Sequence, residues 1–592
     1  MNKLIFDIKD LNSSSDKFFI LDKWYEKLLE IPHNNKFNLN YLNDYKFSVE
    51  KEKKSIKEVN EIYEKLLQEI TVELNKLHKV NWSTKAWRIF IGPWLSRFIA
   101  VIYDRTEIVL PLLENSNIDC SKQVKIGSFV PLSSNTMRDF TDKTLKKVWN
   151  DKLFCRIIYL LKTGDFNNEE NLNSCNNLKF ENYKTVLVYY FSFFLFFISK
   201  VITYPISFFN KFVFYKSYFG NFFQLSRLIF KLNDIPFKYS IKFFDNFIVK
   251  KNFDKKFRSK LDLFENSSNI KEKITRLLLI ECLPTIYLEG FSNLDKITKS
   301  SFFPSRKKVI VTFNCWKDNI FKFWLAKQSN QGSKIIYGQH GAGYGTNLDH
   351  YAEKHELKIS DNYLSWGWQK GEKILPLGDF STFKKKNCRY QNNKKILIAS
   401  GNVNIFKYNN IIHNKHEMIL KQQEINEFLD NLDLNKINSL DFKEHPNDNR
   451  RDFSTLKLIK TSKVNLNIIN LGNNFEKILD RYELIIYPYQ FATPFLKYLN
   501  LNKPSISLFD ENFLNEDVKK DFEPLFDVKI LHKSSKEMAI FLNQNFENMQ
   551  SWWKDQKTQS ARINFCDKYI KKNIDFEFLI ESLKEQEKQL YK

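Results

Sequence analysis

Residues Lys334 to Thr346 read KIIYGQHGAGYGT. Ile335, Ile336 and Tyr337 are the β-branched and aromatic residues of a short strand, and Gly338 stops it. Gln339 and His340 follow at once, then glycines at 341, 343 and 345. A strand running into a loop that lets backbone approach a ligand, with one imidazole at its mouth, is how α/β proteins build sites at the carboxyl ends of strands. Imidazole titrates near neutrality, so His340 can act as a general base or donate a hydrogen bond to phosphate. The bland alternative is a glycine-rich turn that happens to hold a histidine.

Working outward, KKVIVTFN (Lys307–Asn314) reads as a buried strand. DNIFKFWLAKQSN (Asp318–Asn330) reads as a helix that starts at an Asp cap and ends before Gly332. Val309 to Tyr337 is therefore a β-α-β unit, with His340 at the carboxyl end of its second strand. SDNYLSWGW (Ser360–Trp368) is a third strand, and ILPLG (Ile374–Gly378) reads as a short link leaving the domain. A second alternation begins at Lys394. KKILIAS is a strand, Gly401-Asn402 a turn, and a helix lies around Lys415–Leu432. SLDFK (Ser439–Lys443) is a strand ending in Glu444-His445-Pro446. ELIIY (Glu483–Tyr487) is a strand followed by Pro488–Thr493 and a helix from Pro494. KPSISL (Lys503–Leu508) is one more strand, and helices fill the rest. Two βαβ blocks joined by a short link predict an α/β, GT-B-like fold of two Rossmann-like domains facing a cleft. The expected division is 1–378, with its Rossmann-like part at 307–378, and 394–592.

Upstream, Val49 to Lys79 places Ile56, Val59, Ile62, Leu66, Ile70 and Leu74 near helical spacing, an amphipathic helix with one stripe packed. His78 at its end reads as a solvated residue favoured by the helix dipole. In WSTKAWRIFIGPWLSRFIAVIYDR (Trp82–Arg105), Gly92-Pro93 is expected to separate two elements. Arg88, Arg97 and Arg105 read as ion-paired at a buried edge or as holders of an anionic acceptor. Between Val186 and Phe209 the chain carries one charge, Lys200, and is crowded with phenylalanine and tyrosine. It is long enough to span a bilayer, but Lys200, Pro205 and three serines interrupt it. The region 186–235 is read as a Phe-rich helical insertion lying in a membrane interface or against a partner. A core helical hairpin and a transmembrane helix are the alternatives.

A chain of 592 residues exceeds one core and splits into domains; 43% hydrophobic and 27% charged residues mark it as folded. Its seven cysteines are scattered, with no CxxC pair, which argues against a disulfide framework or zinc ribbon and for a reducing cytoplasm. The N-terminal stretch carries acidic residues within its short apolar part and does not read as a signal peptide. The net charge of +23 is spread along the chain without a nucleic-acid-binding signature. It implies attraction to anionic membrane or to phosphorylated substrates, not a nucleic-acid partner.

Three strand-end sites remain: Gln339-His340-Gly341, Lys443-Glu444-His445-Pro446, and Gln490 to Thr493 before a Pro-started helix. The third has a Thr cap and a helix N-terminus suited to phosphate. His445, preceding a proline, has its backbone held extended. QHG after a strand, then KxHP, then Thr-Pro-Phe-Leu, then KPSI resembles the GT-B transferases of bacterial surface-polysaccharide synthesis. These include capsule-synthesis Kdo transferases and CDP-glycerol glycerophosphotransferases. WRIFIGPWL, QHGAGYGT, KISDNYLSWGW and PLG more closely resemble a transferase family of bacterial O-antigen and capsule loci, over nearly the whole chain. The wider GT-B likeness covers about Lys307 to Lys572.

The resemblance implies a glycosyltransferase of surface-polysaccharide (O-antigen, capsule or lipopolysaccharide) synthesis. Its donor would be a nucleotide-activated sugar, a CMP-linked ulosonic acid being favoured, and its acceptor a glycan or lipid-linked molecule. It implies phosphate contact at His445, and a base or phosphate contact at His340 with Gln339 beside it. Lys497 stands where those sequences carry an acid, so the donor-ribose role of that position is not carried over. Such transfer needs a base, positive or N–H groups for the departing phosphate, and a dry cleft. The base is assigned to His340. Phosphate and nucleotide binding go to Ser400, Gly401, Asn402, Lys443, Glu444, His445, Pro446, Gln490 and Thr493. Arg88, Gly341, Tyr344 and Asp361 are acceptor-side candidates. Glu353, Glu356 and Asp361 are alternative bases, more simply read as surface or capping residues. No metal or cofactor is expected beyond the donor, since no DxD lies between the domains and His350 and His355 are spaced poorly for zinc. The expected location is the cytoplasm, at the inner face of the membrane with peripheral contact. The alternatives are a CDP-glycerol-type glycerophosphotransferase and a non-catalytic membrane-associated scaffold.

Overall fold

Short apolar strands alternate with helices along the chain and assemble into three parallel sheets. The computed structural model describes residues 2–11, 16–29, 31, 37–43, 48–128, 131–164, 205, 208–216, 219, 222–236, 252–263, 267–300, 303–314, 316–379, 394–401, 417–437, 439–445, 459, 464–469, 480–572 and 574–591. A small N-terminal sheet holds β1 (Asn2–Leu4), β2 (Lys17–Ile20), β3 (Asn38–Tyr41) and β4 (Ile118–Asp119) in the order β3-β2-β1-β4. These strands are too short to show a period in the sequence.

Helix α1 (Val49–His78) begins where the Ser48 side chain accepts the Lys51 amide hydrogen and ends at a left-handed Lys79 (φ 54°). Its stripe from Ile56 to Leu74 is buried as the spacing predicts. His78 departs from expectation. It stacks on Phe291 with ring centroids 3.9 Å apart, its Nε2 lies 3.0 Å from the Tyr287 carbonyl oxygen, and burial pushes its pKa down to about 4. Helix α2 (Thr84–Val109) runs straight through Gly92-Pro93, where the sequence predicts a break. A proline inside a helix costs about 3 kcal/mol. A fully buried large apolar side chain contributes about 1.5–3 kcal/mol, and 15 hydrophobic residues of α2 are buried, so packing outweighs the proline. Gly92 is also where Tyr63 comes close, since a Cβ there would sit 2.7 Å from its hydroxyl.

The first Rossmann-like sheet contains β5 (Phe212–Tyr215), β6 (Val309–Thr312), β7 (Lys334–Gly338), β8 (Asn362–Ser365) and β9 (Ile374–Pro376), in that order and all parallel. The period of two sorts its side chains between two cores. Val213, Tyr215, Ile310, Ile335, Tyr337 and Tyr363 face the large core containing α1 and α2. Phe212, Phe214, Val309, Val311, Ile336 and Leu364 face a second core on the other side. Helix α3 (Phe222–Lys231) packs Leu225, Leu228 and Ile229 into that second core, whereas α4 (Asn319–Asn330) and α5 (Tyr351–Ile359) cover the first face.

Two expectations change here. The stretch Ile374–Pro376 is an edge strand, not a link. Of the Phe-rich region 186–235 only 205, 208–216, 219 and 222–235 are described, and they contain the strand β5 as well as the helix α3. Phe212–Tyr215 is an edge strand of the first sheet, not helix, and is buried at every position because both faces of the sheet are covered. Among the described residues no helix is long and apolar enough to cross a membrane.

The second Rossmann-like sheet contains β10 (Ile396–Ala399), β11 (Ser439–Lys443), β12 (Asn465–Ile468), β13 (Leu484–Tyr487), β14 (Ser505–Leu508) and β15 (Leu531–His532). All pairs are parallel, in the order β12-β11-β10-β13-β14-β15. That is the doubly wound order with its reversal between β10 and β13, the point where such sheets open a crevice for ligand. Helix α6 (Thr493–Asn500) follows β13. The last helix, α7 (Phe576–Tyr591), does not stay with the second sheet. Its Leu579, Ile580, Leu583 and Leu590 return to the second core of the first sheet, and Glu587 pairs with Lys211 at 2.6 Å.

Candidate functional site

At the carboxyl end of β7 the chain turns sharply, because Gly338 lies under Phe313, where an added Cβ would meet the ring at 2.1 Å. Gln339, only 2% exposed, then holds the turn together. Its Oε1 accepts from the Trp366 amide and from Trp368 Nε1, each at 2.8 Å, and its Nε2 donates to the Gly341 carbonyl at 2.8 Å. With its amide so engaged, Gln339 positions the loop that carries His340.

His340 follows with its side chain 22% exposed. Its Nδ1 lies 3.2 Å from the Tyr344 hydroxyl and 3.4 Å from Glu356 Oε1. Burial lowers its pKa to about 4, the Phe313 carbonyl opposes this, and the Lys497 charge adds to it. The imidazole is therefore neutral at pH 7. Glu356, wholly buried on α5, is no surface residue as the sequence suggested. Burial raises its pKa well above the usual carboxylate range, against donors at Tyr363 (3.0 Å), Tyr344 (3.2 Å) and Trp316 Nε1 (3.2 Å). Glu353 is likewise pushed up to about 7 by burial, although the Gly345 amide donates to it at 2.7 Å. His350 caps α5 by accepting from the Glu353 amide at 3.1 Å, and its ring lies 4.1 Å from that of Tyr344. A neutral imidazole beside a buried carboxyl and two tyrosines is placed to accept a proton.

The loop after His340 does not hang over an open cleft; it is docked on the second domain. Thr493 Oγ1 accepts from the Ala342 amide at 3.0 Å and would lie 3.3 Å from a Cβ at Gly341. The Asn515 amide donates to the Thr346 carbonyl at 3.0 Å, Leu348 to the Phe513 carbonyl at 2.8 Å, and Asn347 bridges Leu514. Thr493 thus serves the loop, not the cap expected of it. Ala492 occupies the cap position, and no side chain caps α6. Lys497, one turn along, places its ammonium 5.2 Å from the centroid of the Trp366 ring. The N-terminus of α6 and Lys497 are brought to the His340 loop together.

At the reversal point of the second sheet, the Ser400 amide donates to the Lys443 carbonyl at 2.9 Å, setting the ends of β10 and β11 side by side. Gly401 is buried against Tyr489, whose ring would be 2.8 Å from a Cβ there. Lys443 is 9% exposed, its Nζ 3.3 Å from the Glu444 carbonyl, and Glu444 and His445 are half-buried just beyond the strand. Gln490 Oε1 accepts from the Asp510 amide at 3.0 Å, tying the ends of β13 and β14. Asn402 and Pro446 lie outside the described residues.

Two acceptor-side candidates stand elsewhere. Asp361 is at the amino end of β8, where it accepts from the Ile335 amide at 2.7 Å and pairs with Lys85 at 3.3 Å, the opposite end of the sheet from His340. Arg88 makes a two-pronged pair with Glu64 at 2.8 and 2.6 Å. Arg105 pairs with Asp104 at 2.7 Å, so Arg88 and Arg105 are ion-paired, whereas Arg97 donates to the Thr141 hydroxyl at 2.8 Å. Gly341 and Tyr344 do lie in the loop, Tyr344 buried beneath His340. Among the described residues no group of three His, Cys, Asp or Glu side chains could hold a metal ion. The sequence reading missed the roles of Glu356, Tyr363 and Lys497. Only the aromatic density of SDNYLSWGW and the lysine in an unusual place hinted at them.

A family model described as LIC12162 family transferase matches residues 3–582. No curated protein matches the chain. Among solved structures, MurG of Acinetobacter baumannii is 10% identical, covering 50% of this chain and 78% of its own, with a TM-score of 0.30. The UDP co-structure of MnaA from S. aureus is 12% identical over 62% of this chain and 93% of its own, TM-score 0.32. An O-GlcNAc transferase variant from Thermobaculum terrenum is 8% identical over 90% and 98%, TM-score 0.31. Likeness at this level carries no argument about the reaction.

Proposed function

Because the chain belongs to the LIC12162 family of transferases, we propose that it is a glycosyltransferase moving a sugar from a nucleotide-activated donor to a glycan or lipid-linked acceptor. The observation that carries this reading is the meeting of a neutral His340 with the uncapped N-terminus of α6 and Lys497, across the Thr493–Ala342 bond. In the proposed scheme the His340 imidazole removes the acceptor hydroxyl proton as its oxygen attacks the donor sugar. As the bond to the donor phosphate breaks, the α6 amides, Lys443 and His445 receive the developing negative charge. Ser400 and Gly401 let the phosphate approach backbone at the sheet reversal. Protein groups supply all the positive charge in this scheme, so a chelator is expected to leave turnover unchanged.

We further propose a CMP-linked ulosonic acid as donor and bacterial surface polysaccharide as product, with the enzyme working at the inner face of the cytoplasmic membrane. This finer reading is supported by the KxHP histidine at 445, in the position where the GT-B resemblance implies contact with a cytidine nucleotide phosphate. Calorimetry with CMP, CDP, UDP and GDP tests it. Tightest binding of CMP supports the ulosonic donor, and tightest binding of CDP favours glycerophosphate transfer. Binding of UDP or GDP alone rejects the cytidine donor, and no binding to any of the four sinks the enzymatic scheme in favour of a scaffold.

A further inference from the structure

Six phenylalanines are exposed among the described residues: Phe208, Phe209, Phe222, Phe223, Phe230 and Phe578. All six belong to one margin of the first Rossmann-like sheet. Phe208 and Phe209 are separated from the edge strand β5 by two residues, three more lie on α3, and Phe578 lies on α7 beside it, where Glu577 pairs with Lys231. Scattered exposed apolar residues need no explanation, but a gathering confined to one edge does. Continuity across the margin is given by Asn210, which donates to the Ile235 carbonyl at 3.3 Å, and by the shared core beneath α3 and α7.

The same margin is cationic. A pocket of about 700 Å³ opens beside Phe208, Phe209 and Tyr591, and its lining carries Lys211, Arg306, Lys307 and Lys308 with no acidic residue. Lys211 is paired with Glu587, and the Lys308 ammonium is turned inward to the Asn210 carbonyl. Arg306 and Lys307 are exposed, and the Arg306 guanidinium lies 3.6 Å from the centroid of the Phe208 ring. Burial holds the Lys308 pKa down to about 8, and the Arg306 charge adds to this while Asp234 opposes it. Arg306 and Lys307 are solvent-facing charges at the mouth of the pocket, both cationic. Aromatic rings interleaved with solvent-facing cations match the interfacial layer of a bilayer, where rings sit at headgroup level and basic side chains meet lipid phosphate.

We propose that this margin is a docking face for an anionic lipid bilayer, with the phenylalanine rings entering the acyl boundary and Arg306 and Lys307 meeting lipid phosphates. Its use follows from the proposed lipid-linked acceptor, but its binding is independent of the donor site and is measured separately.

The test is co-sedimentation of the full chain with vesicles of phosphatidylcholine alone and of phosphatidylcholine mixed with phosphatidylglycerol. Binding is expected to the mixed vesicles, to weaken with salt, and to persist in millimolar inorganic phosphate. Phe223→Glu with Phe230→Glu, and Arg306→Glu with Lys307→Glu, should each weaken partitioning at least about 10-fold, with melting temperature and nucleotide binding unchanged. These positions are exposed, so the variants keep the fold. Equal binding to both vesicle types, no binding, release by free phosphate, or variants that bind like the parent would each overturn the proposal. Loss of nucleotide binding in the parent chain would reject the donor scheme and leave the docking face standing.

Discussion

The hydroxyl of Thr493 in the second domain accepts the amide hydrogen of Ala342 in the first, at 3.0 Å. A threonine that sequence pattern assigns to capping its own helix is instead the partner of the loop carrying His340. Replacing it by valine keeps the shape and leaves that amide without its acceptor, at a cost of about 1–3 kcal/mol. Urea unfolding should register this loss for Thr493→Val and little of it for Thr493→Ser. Equal stability of the two variants would show that the bond is dispensable.

The division of labour between the two histidines separates in kinetics. His340→Ala should lower kcat by roughly 10²–10⁴-fold, the range for a general base, with KM for the donor little changed. His445→Ala should chiefly raise the donor KM and weaken nucleotide binding. The reverse pattern would exchange the two roles.

Stability should peak in mildly acidic solution. The histidines at 78, 340, 350, 355 and 532 have their pKa values lowered by desolvation to between about 3 and about 4. Unfolded, each titrates near 6.5, so between those values the unfolded chain binds more protons and stability falls as pH drops. Glu281 and Glu353 are raised by burial to about 7, and Glu356 is raised well above 4.5. There the folded chain binds more protons, and stability is lost as pH rises from about 4.5. The two sets oppose each other between roughly 4.5 and 6.5 and act alone on either side. Melting temperature against pH should therefore decline both below and above that interval. Glu356→Gln, isosteric with the neutral acid, should match the parent near pH 5 and melt higher at pH 8. An unchanged difference across that range would mean Glu356 is ionised in the fold.

Gly345 has φ +72°, and a Cβ there would lie 2.4 Å from Trp368 Cδ2. Trp368 cannot withdraw without giving up its bond to Gln339. Gly345→Ala should lower the melting temperature and displace the loop, costing more than about 1 kcal/mol because strain and clash add. Tryptophan fluorescence together with thermal melting would report both effects. A variant melting with the parent would remove the loop's claim to rigidity.

Much of the α/β half of this chain is legible because its strands are runs of Val, Ile, Leu and Tyr bounded by Gly, Asn and Pro. SLDFK at 439–443 is a strand over those very residues. The N-terminal sheet was not legible, since a strand such as Ile118–Asp119 offers no period at all. Pro93 misled because a local rule met a helix whose burial overrode it. In the site, His340 and the α6 N-terminus could be read from strand ends. Glu356 could not, because its raised pKa comes from burial in the folded interior, against the donors Tyr344, Tyr363 and Trp316. Asp361 shows the converse: its type suits catalysis, but topology puts it at the wrong end of the sheet.

The return of α7 to the first sheet bears on how the molecule comes into being. Ribosomal synthesis is vectorial, and the apolar face formed by Phe212, Val309 and Ile336 emerges long before Leu579 to Leu590, the residues that help cover it. A nascent chain must therefore carry an unfinished sheet throughout the making of the whole second domain. Its aggregation risk is set during that interval, and a chaperone that shields the β5–β7 face would be needed only until the final helix is released.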